Sequence, residues 1–88
     1  MYTQHAMIRC QQRALTPEVV DTILTYGEQM RHQGADIYFM DHRSRARAAS
    51  AVGTRKFRKI EKRLNSYVVV SDDGRVITAA RRIKRLKS

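Results

Sequence analysis

The feature that most constrains the fold is an alternating segment near the carboxyl end of the chain, interrupted by a turn sequence. Residues 67–71 and 75–81 alternate as half-buried strands do, and Asp73-Gly74 is a preferred pair for a two-residue type I′ turn. The predicted cross-strand pairs are Asp72 with Arg75, Val70 with Ile77, and Val68 with Ala79. These residues share one face, which we expect to pack on helices because its members near the centre are apolar. The opposite face is predicted to carry Tyr67, Val69, Ser71, Val76, Thr78 and Ala80.

The amino-terminal part of the sequence predicts two helices. Thr3 can cap a first helix that runs to about Arg13. Thr16 followed by Pro17 is a good start for a second helix, and Gly27 is a natural end for it. The apolar stripe of this second helix is predicted to consist of Val19, Val20, Ile23 and Leu24.

A second hairpin is predicted between these helices and the basic region. Residues 29–33 and 36–41 are interpreted as strands, and Gly34-Ala35 is a connection of hairpin length. With 88 residues the chain is expected to form one domain, 1–88. The predicted fold is α+β, in which two amino-terminal helices pack on an antiparallel sheet of about four strands and a basic helix is inserted before the last hairpin.

Residues 44–65 are predicted to be helical with one interruption. Gly53 breaks the helix, and Thr54 can cap a new one in which Phe57, Ile60 and Leu64 form a single apolar stripe. The remaining faces of the new helix carry Arg55, Lys56, Arg58, Lys59, Lys62 and Arg63. A basic amphipathic helix can also lie on a membrane surface, but this stripe is narrow and we expect the core to need it.

The charge of the chain is concentrated in its second half. The net charge is +10, and residues 1–40 contribute three Arg against four carboxylates, whereas residues 41–88 contribute fifteen Lys or Arg against four. Such a one-sided positive field concentrates and orients anions, so an RNA partner is predicted. The predicted RNA-binding residues are those of the basic helix, Tyr67, and the cations Arg81, Lys84, Arg85 and Lys87 of a basic tail, 81–88.

The remaining chemistry-bearing residues predict neither a metal nor a cofactor. Cys10 is the single cysteine, and no Cys/His pattern accompanies it, which favours a reducing compartment and argues against structural zinc. His32 and His42 flank the first hairpin without metal-ligand spacing and are interpreted as surface residues. No apolar run approaches the roughly 20 residues of a membrane span, and the start of the chain has no signal-peptide core, so a cytoplasmic location is expected.

The two ends of the chain resemble a bacterial family catalogued as domain of unknown function 4258. The resemblance rests on Thr3-Gln4-His5-Ala6-Met7-Ile8-Arg9 with Arg13, on Leu15-Thr16-Pro17-Glu18-Val19-Val20, and on Val76-Ile77-Thr78. Residues 42–65 fit the family poorly and look like an insertion or a reshaped middle. The resemblance implies a fold shared with RelE-type messenger-RNA endonucleases and barnase-like nucleases, many of which are toxins. It therefore implies RNA or the ribosome as a partner, with an acidic antitoxin as a further one.

Metal-independent RNA cleavage needs a base, an acid and cations at the phosphate. His5 is the histidine that matches the family, and Arg9 follows it one helical turn later. The hypothesis makes His5 the base or acid, Arg9 and Arg82 the phosphate clamps, and Thr78 an orienting hydroxyl, with Tyr67 beside them on the sheet. The same positions are also explained without catalysis. His5 would then be an exposed residue, Arg9 an ion-paired one, and Thr78 and Tyr67 ordinary strand residues. A non-catalytic nucleic-acid-binding module is thus the alternative, because phosphate contacts alone account for the charge.

Overall fold

A computed structural model of the protein describes residues 2–13 and 15–81, and for Arg81 the backbone only. The elements in chain order are α1 (Gln4–Gln12), α2 (Pro17–Tyr26), β1 (Glu28–His32), β2 (Ala35–Phe39), α3 (His42–Val52), α4 (Thr54–Ile60), β3 (Ser66–Ser71) and β4 (Val76–Arg81). The four strands form one antiparallel sheet in the order β1-β2-β3-β4. The predicted α+β class and the sheet of four strands are confirmed.

The first two helices begin and end at the residues that their capping chemistry predicts. The Thr3 and Thr16 hydroxyl oxygens each accept a hydrogen bond from the backbone N–H three residues on, at 3.1 and 3.3 Å. Helix α2 ends at Gly27, whose N–H donates to the carbonyl of Ile23 at 2.8 Å. These caps satisfy backbone groups that a helix leaves unpaired at its ends, so short sequence signals locate both helices.

Helices α3 and α4 differ from the prediction at three of their ends. Helix α3 begins at His42 rather than at 44, because the Asp41 carboxylate accepts the Ser44 N–H at 2.8 Å while the Ser44 hydroxyl accepts the Asp41 N–H at 2.7 Å. The predicted cap at Thr54 is wrong, since Gly53 occupies that position and Thr54 is already helical. Helix α4 ends at Ile60, and residues 61–64 continue as turns instead of helix.

The first hairpin turns one residue earlier than predicted. Its loop is Gln33-Gly34 rather than Gly34-Ala35, and Ala35 pairs with His32 in the sheet. Gln33 and Gly34 have φ angles of 48° and 80°. Two successive positive φ angles are the signature of a type I′ turn, whose twist matches that of the flanking strands. A glutamine is an unusual residue for the first of these positions, which is why the sequence placed the loop at the glycine and its successor.

The turn of the second hairpin contains three residues, 72–74, rather than two. The Gly74 N–H donates to the Ser71 carbonyl at 2.9 Å, and the Ser71 N–H donates to the Arg75 carbonyl at 2.8 Å. Ser71 therefore faces Arg75, and the predicted pair of Asp72 with Arg75 is wrong. Gly74 has a φ of 84°, as expected where a type I turn ends in a left-handed residue.

A bulge in the second hairpin restores the predicted register away from the turn. Val70 pairs with Val76 rather than with Ile77, and the register shifts between Val69 and Val70. Beyond this point Val68 pairs with Ala79, as predicted. The bulge also turns Val76 toward the helices, where its side chain is completely buried. The prediction that Val76 lies on the opposite face is therefore wrong.

The core lies between the helices and one face of the sheet. Helix α1 packs on β4, α2 packs on β2 and β3, α3 packs on α2, and α4 packs on α3. The largest fully buried apolar side chains are Val19, Val20, Ile23, Met40, Leu64, Val68 and Val76. Among the described residues no helix has the length and apolar character needed to cross a bilayer.

The two ends of the described chain meet at β4. The Thr3 N–H donates to the Val76 carbonyl at 2.9 Å, and the Thr3 hydroxyl donates to the Ile77 carbonyl at 3.1 Å. Tyr2 forms an isolated parallel bridge with Val76. The start of α1 is thereby fixed against the strand that precedes the basic tail.

Candidate nucleic-acid interface

Helices α3 and α4, with the turns that follow α4, carry nine cations, and this region is here called the basic helical surface. Its cations are Arg43, Arg45, Arg47, Arg55, Lys56, Arg58, Lys59, Lys62 and Arg63, all exposed except the half-buried Arg45. The opposite side of α4 and of the turns after it is held by the core, because Ile60 and Leu64 are buried and Phe57 packs against the core cluster. This confirms that the core needs the apolar stripe of α4 and explains why its cations face the solvent.

Most of the charge on the basic helical surface is not neutralised by carboxylates. Among the described residues only Arg47 of this surface lies within 4 Å of a carboxylate, that of Glu28 at 3.9 Å. The other ion pairs lie at the hairpin turns and join Arg31 to Asp36 and Asp72, and Arg75 to Asp73. The Arg31 guanidinium accordingly holds the pKa of Asp72 below its ordinary value. Charge is therefore balanced at the turns and left unbalanced on the helices.

The arginines of α3 belong to the basic helical surface, although the predicted set of binding residues omitted them. Arg45 donates to the backbone carbonyl of Glu61 at 3.3 Å, and Arg47 donates to that of Tyr26 at 3.0 Å. These bonds join α3 to the turn after α4 and to the end of α2. The Ala- and Arg-rich composition of residues 44–52 was the available signal, but the contact between α3 and α4 that combines their charges depends on tertiary packing.

The segments that carry the basic helical surface reach one end of the sheet. Strand β2 ends shortly before Arg43, β3 begins three residues after Arg63, and β4 ends at Arg81, which pairs with Ser66. The connections that carry these residues consequently meet at the same end, whereas the two hairpin turns lie at the other. Within the described part of the chain, the cations of α3, α4 and the turns after α4 thus extend from the helical layer toward this end of the sheet.

The predicted catalytic residues are divided between two places. His5 is exposed and Arg9 half-buried on one side of α1, whereas Thr78 and Tyr67 line a cavity of about 440 Å³ on the sheet. Neither His5 nor Arg9 lines that cavity, and within the described residues no hydrogen bond joins them to Thr78. Residues Arg82, Lys84, Arg85 and Lys87, assigned to the phosphate clamp and the basic tail, lie outside the described residues.

Two residues that the sequence did not assign to a site also line the sheet cavity. His32 and Gln33, from the end of β1 and the first turn, stand at its border. His32 was interpreted as a surface residue, and it is indeed exposed. His32 lines the same cavity as Tyr67 and Thr78 because of the order of the strands in the sheet, which a local sequence pattern does not show.

The other titratable groups of interest are buried away from the basic helical surface. Cys10 is a free thiol with 6% exposure, and burial raises its pKa. Burial also raises the pKa of Tyr2, whose hydroxyl has no hydrogen-bond partner within the described part of the chain. The described residues contain no cluster of three or more His, Cys, Asp or Glu suited to holding a metal ion.

The chain matches no protein-family model, no curated protein and no solved structure. Its relation to the domain family that its two ends resemble therefore stays a prediction. Function is accordingly inferred from the charge, exposure and hydrogen bonding of the described residues.

Proposed function

We propose that this chain is an RNA-binding protein that holds the ribose-phosphate backbone on its basic helical surface. The observation that carries the proposal is that eight of the nine cations there have no carboxylate of the described residues within 4 Å. An arginine already paired with a carboxylate gains little from a phosphate, whereas an unpaired one releases counterions when it binds. A cytoplasmic location accords with this partner and with the reduced cysteine, Cys10.

The surface is suited to phosphates more than to a small anion. Its cations extend over two helices and the turns after α4, so they can contact several phosphates of one strand at once. Each contact with a single-stranded nucleic acid steepens the fall of log affinity with log salt by about 0.7. RNA is proposed over DNA because of the resemblance of the chain ends to the RNA-directed family.

The test compares two double variants that remove the same charge. Lys59→Gln/Arg63→Gln removes two unpaired cations of the basic helical surface, and Arg31→Gln/Arg75→Gln removes two ion-paired cations at the hairpin turns. Affinity for a single-stranded RNA is measured by fluorescence anisotropy across a salt series. The first variant is expected to make the fall of log affinity with log salt less steep by about 1.4. The second is expected to leave this salt dependence nearly unchanged.

Equal effects of the two variants would contradict the proposal, because only the total charge would then matter. A salt dependence that is flat for the unaltered protein would contradict it as well. Circular dichroism of each variant shows whether the fold has been kept.

A second candidate function, RNA cleavage, follows from the resemblance of the two chain ends to the nuclease-related family. The bonds from Thr3 to β4 hold the helix that carries His5 on the helical side of that strand, whereas Thr78 lies on its other side. In this proposal the protein is a metal-independent endoribonuclease of toxin type, regulated by an acidic antitoxin. Cleavage of free or ribosome-bound RNA that survives EDTA and disappears in His5→Ala would support it. An intact substrate in both assays would leave the non-catalytic binding module as the function.

A further inference from the structure

The sheet has a second face that contributes nothing to the helical core. The described lining of the cavity of about 440 Å³ on this face comes from strands and the first turn, through His32, Gln33, Ile37, Tyr67, Val69 and Thr78. Ile37, Val69 and Thr78 are direct cross-strand neighbours and form its floor. Val68, which lies between Tyr67 and Val69 in the chain, is fully buried on the helical side.

We propose that this face binds unpaired nucleobases of the same RNA whose phosphates contact the basic helical surface; the inference rests on the proposed function. Tyr67 is half-buried and lines the cavity, so part of the residue is exposed at this face. An aromatic ring on an antiparallel sheet is a stacking platform for unpaired bases. His32, Gln33 and Thr78 supply hydrogen-bonding groups at the border for the edges of a base.

The distribution of charge favours a base over a phosphate or an acidic peptide in the cavity. The described residues of its lining include no Lys, Arg, Asp or Glu. The unpaired cations Lys62 and Arg63 precede Tyr67 by a few residues, at the end of the sheet where β3 begins. A strand whose backbone contacts those cations can therefore direct its uncharged bases onto the sheet. Paired bases are stacked within a duplex and do not offer their faces, so single-stranded RNA is the expected ligand.

The test separates base binding from phosphate binding by using two oligonucleotides. One is a short single-stranded RNA, and the other is an abasic strand of the same length and charge. The unaltered protein should bind the first more tightly. Tyr67→Leu, which keeps an apolar side chain but removes the ring, should weaken binding of the first strand roughly 5- to 150-fold and leave the abasic strand unaffected. Tyr67→Phe keeps the ring and should retain most of the affinity.

Other results would overturn this inference in recognisable ways. If the unaltered protein binds both strands equally, phosphate binding stands and the base site fails; if it binds neither, the proposed function fails. A loss in Tyr67→Leu that is equal for both strands would assign the residue to folding. Self-association that is abolished by Tyr67→Leu, without an effect on RNA, would show that a second copy covers the face. Thermal unfolding of both variants shows whether the fold has been kept.

Discussion

Replacing Gly27 by alanine should destabilise the protein, because the added methyl group has no free space. Gly27 connects α2 to β1 and has a φ of −70°, which any residue can adopt. A Cβ built at this position would lie 2.7 Å from the carbonyl oxygen of Phe39 and closer still to that of Ile23. Both obstacles are backbone atoms, which cannot rotate away as a side chain would. Either the end of α2 or the end of β2 must therefore move.

Overpacking a rigid site lowers the free energy of unfolding by about 1–3 kcal/mol, and this is the loss expected for Gly27→Ala. For a domain of this size, each kcal/mol lowers the melting temperature by about 4–8 °C. Urea unfolding followed by circular dichroism measures the loss directly. Thr25→Ala, an exposed change two residues earlier in the same helix, is the matched control and should stay within about 0.5 kcal/mol of the unaltered protein.

A Gly27→Ala protein as stable as the Thr25→Ala control would refute this reasoning. It would mean that the carbonyl groups of Ile23 and Phe39 shift freely, and that the junction of α2 and the sheet is loosely packed. A loss well above 3 kcal/mol would instead show that the junction cannot adjust at all.

Two further predictions concern acid stability and thiol reactivity. Hydrogen bonds from Ser44 lower the pKa of Asp41, so this carboxylate contributes its full stability at neutral pH and loses it as pH falls below about 4. Asparagine caps helices equally well, so the free energy of unfolding of Asp41→Asn, measured by urea unfolding, should fall less between pH 5 and pH 2 than that of the unaltered protein. An identical fall in both proteins would contradict this prediction. Burial raises the pKa of Cys10, so iodoacetamide should alkylate this thiol far more slowly in the native protein than in the unfolded chain. The two rates are measured by mass spectrometry, and equal rates would contradict the burial of Cys10.

The sequence located those elements whose ends depend on local chemistry. Thr3 and Thr16 each have their side-chain oxygen three residues before a helical N–H, and this relation is visible in the sequence. The cap of α3 was missed because Ser44, rather than Glu or Gln, returns the second hydrogen bond to Asp41. Thr54 was a reasonable cap by type, but the positive φ of Gly53 places the chain reversal one residue earlier.

The register of the second hairpin shows how two deviations from the predicted pattern can compensate. An extra turn residue moves the pairing of Ser71 by one position, and the bulge between Val69 and Val70 moves it back. Alternation therefore predicted the pair of Val68 with Ala79 correctly while assigning Val76 to the wrong face. Burial of Val76 against the helices is a tertiary effect, and it supports the bulge that makes it possible.

The candidate site depends even more on packing than the fold does. The cations of α4 could be predicted because they surround an apolar stripe, but the contribution of Arg43, Arg45 and Arg47 follows from the packing of α3 on α4. Likewise, His32 and Tyr67 are distant in sequence and come to one cavity because β2 lies between β1 and β3. Pairing between strands therefore defines this part of the site.

In α4 the apolar residues that stabilise the core differ from the cations proposed to bind RNA. Stability and RNA binding can therefore be tested separately. Ile60 and Leu64 are buried, and Phe57 packs on the same core, so the apolar side chains of the helix have no freedom to enter a lipid surface without unfolding it. Its cations make no described ion pair and are exposed. Replacing them by glutamine removes repulsion between like charges and leaves the buried stripe intact. Such variants should therefore fold at least as well as the unaltered chain, and any affinity they lose can be assigned to lost phosphate contacts.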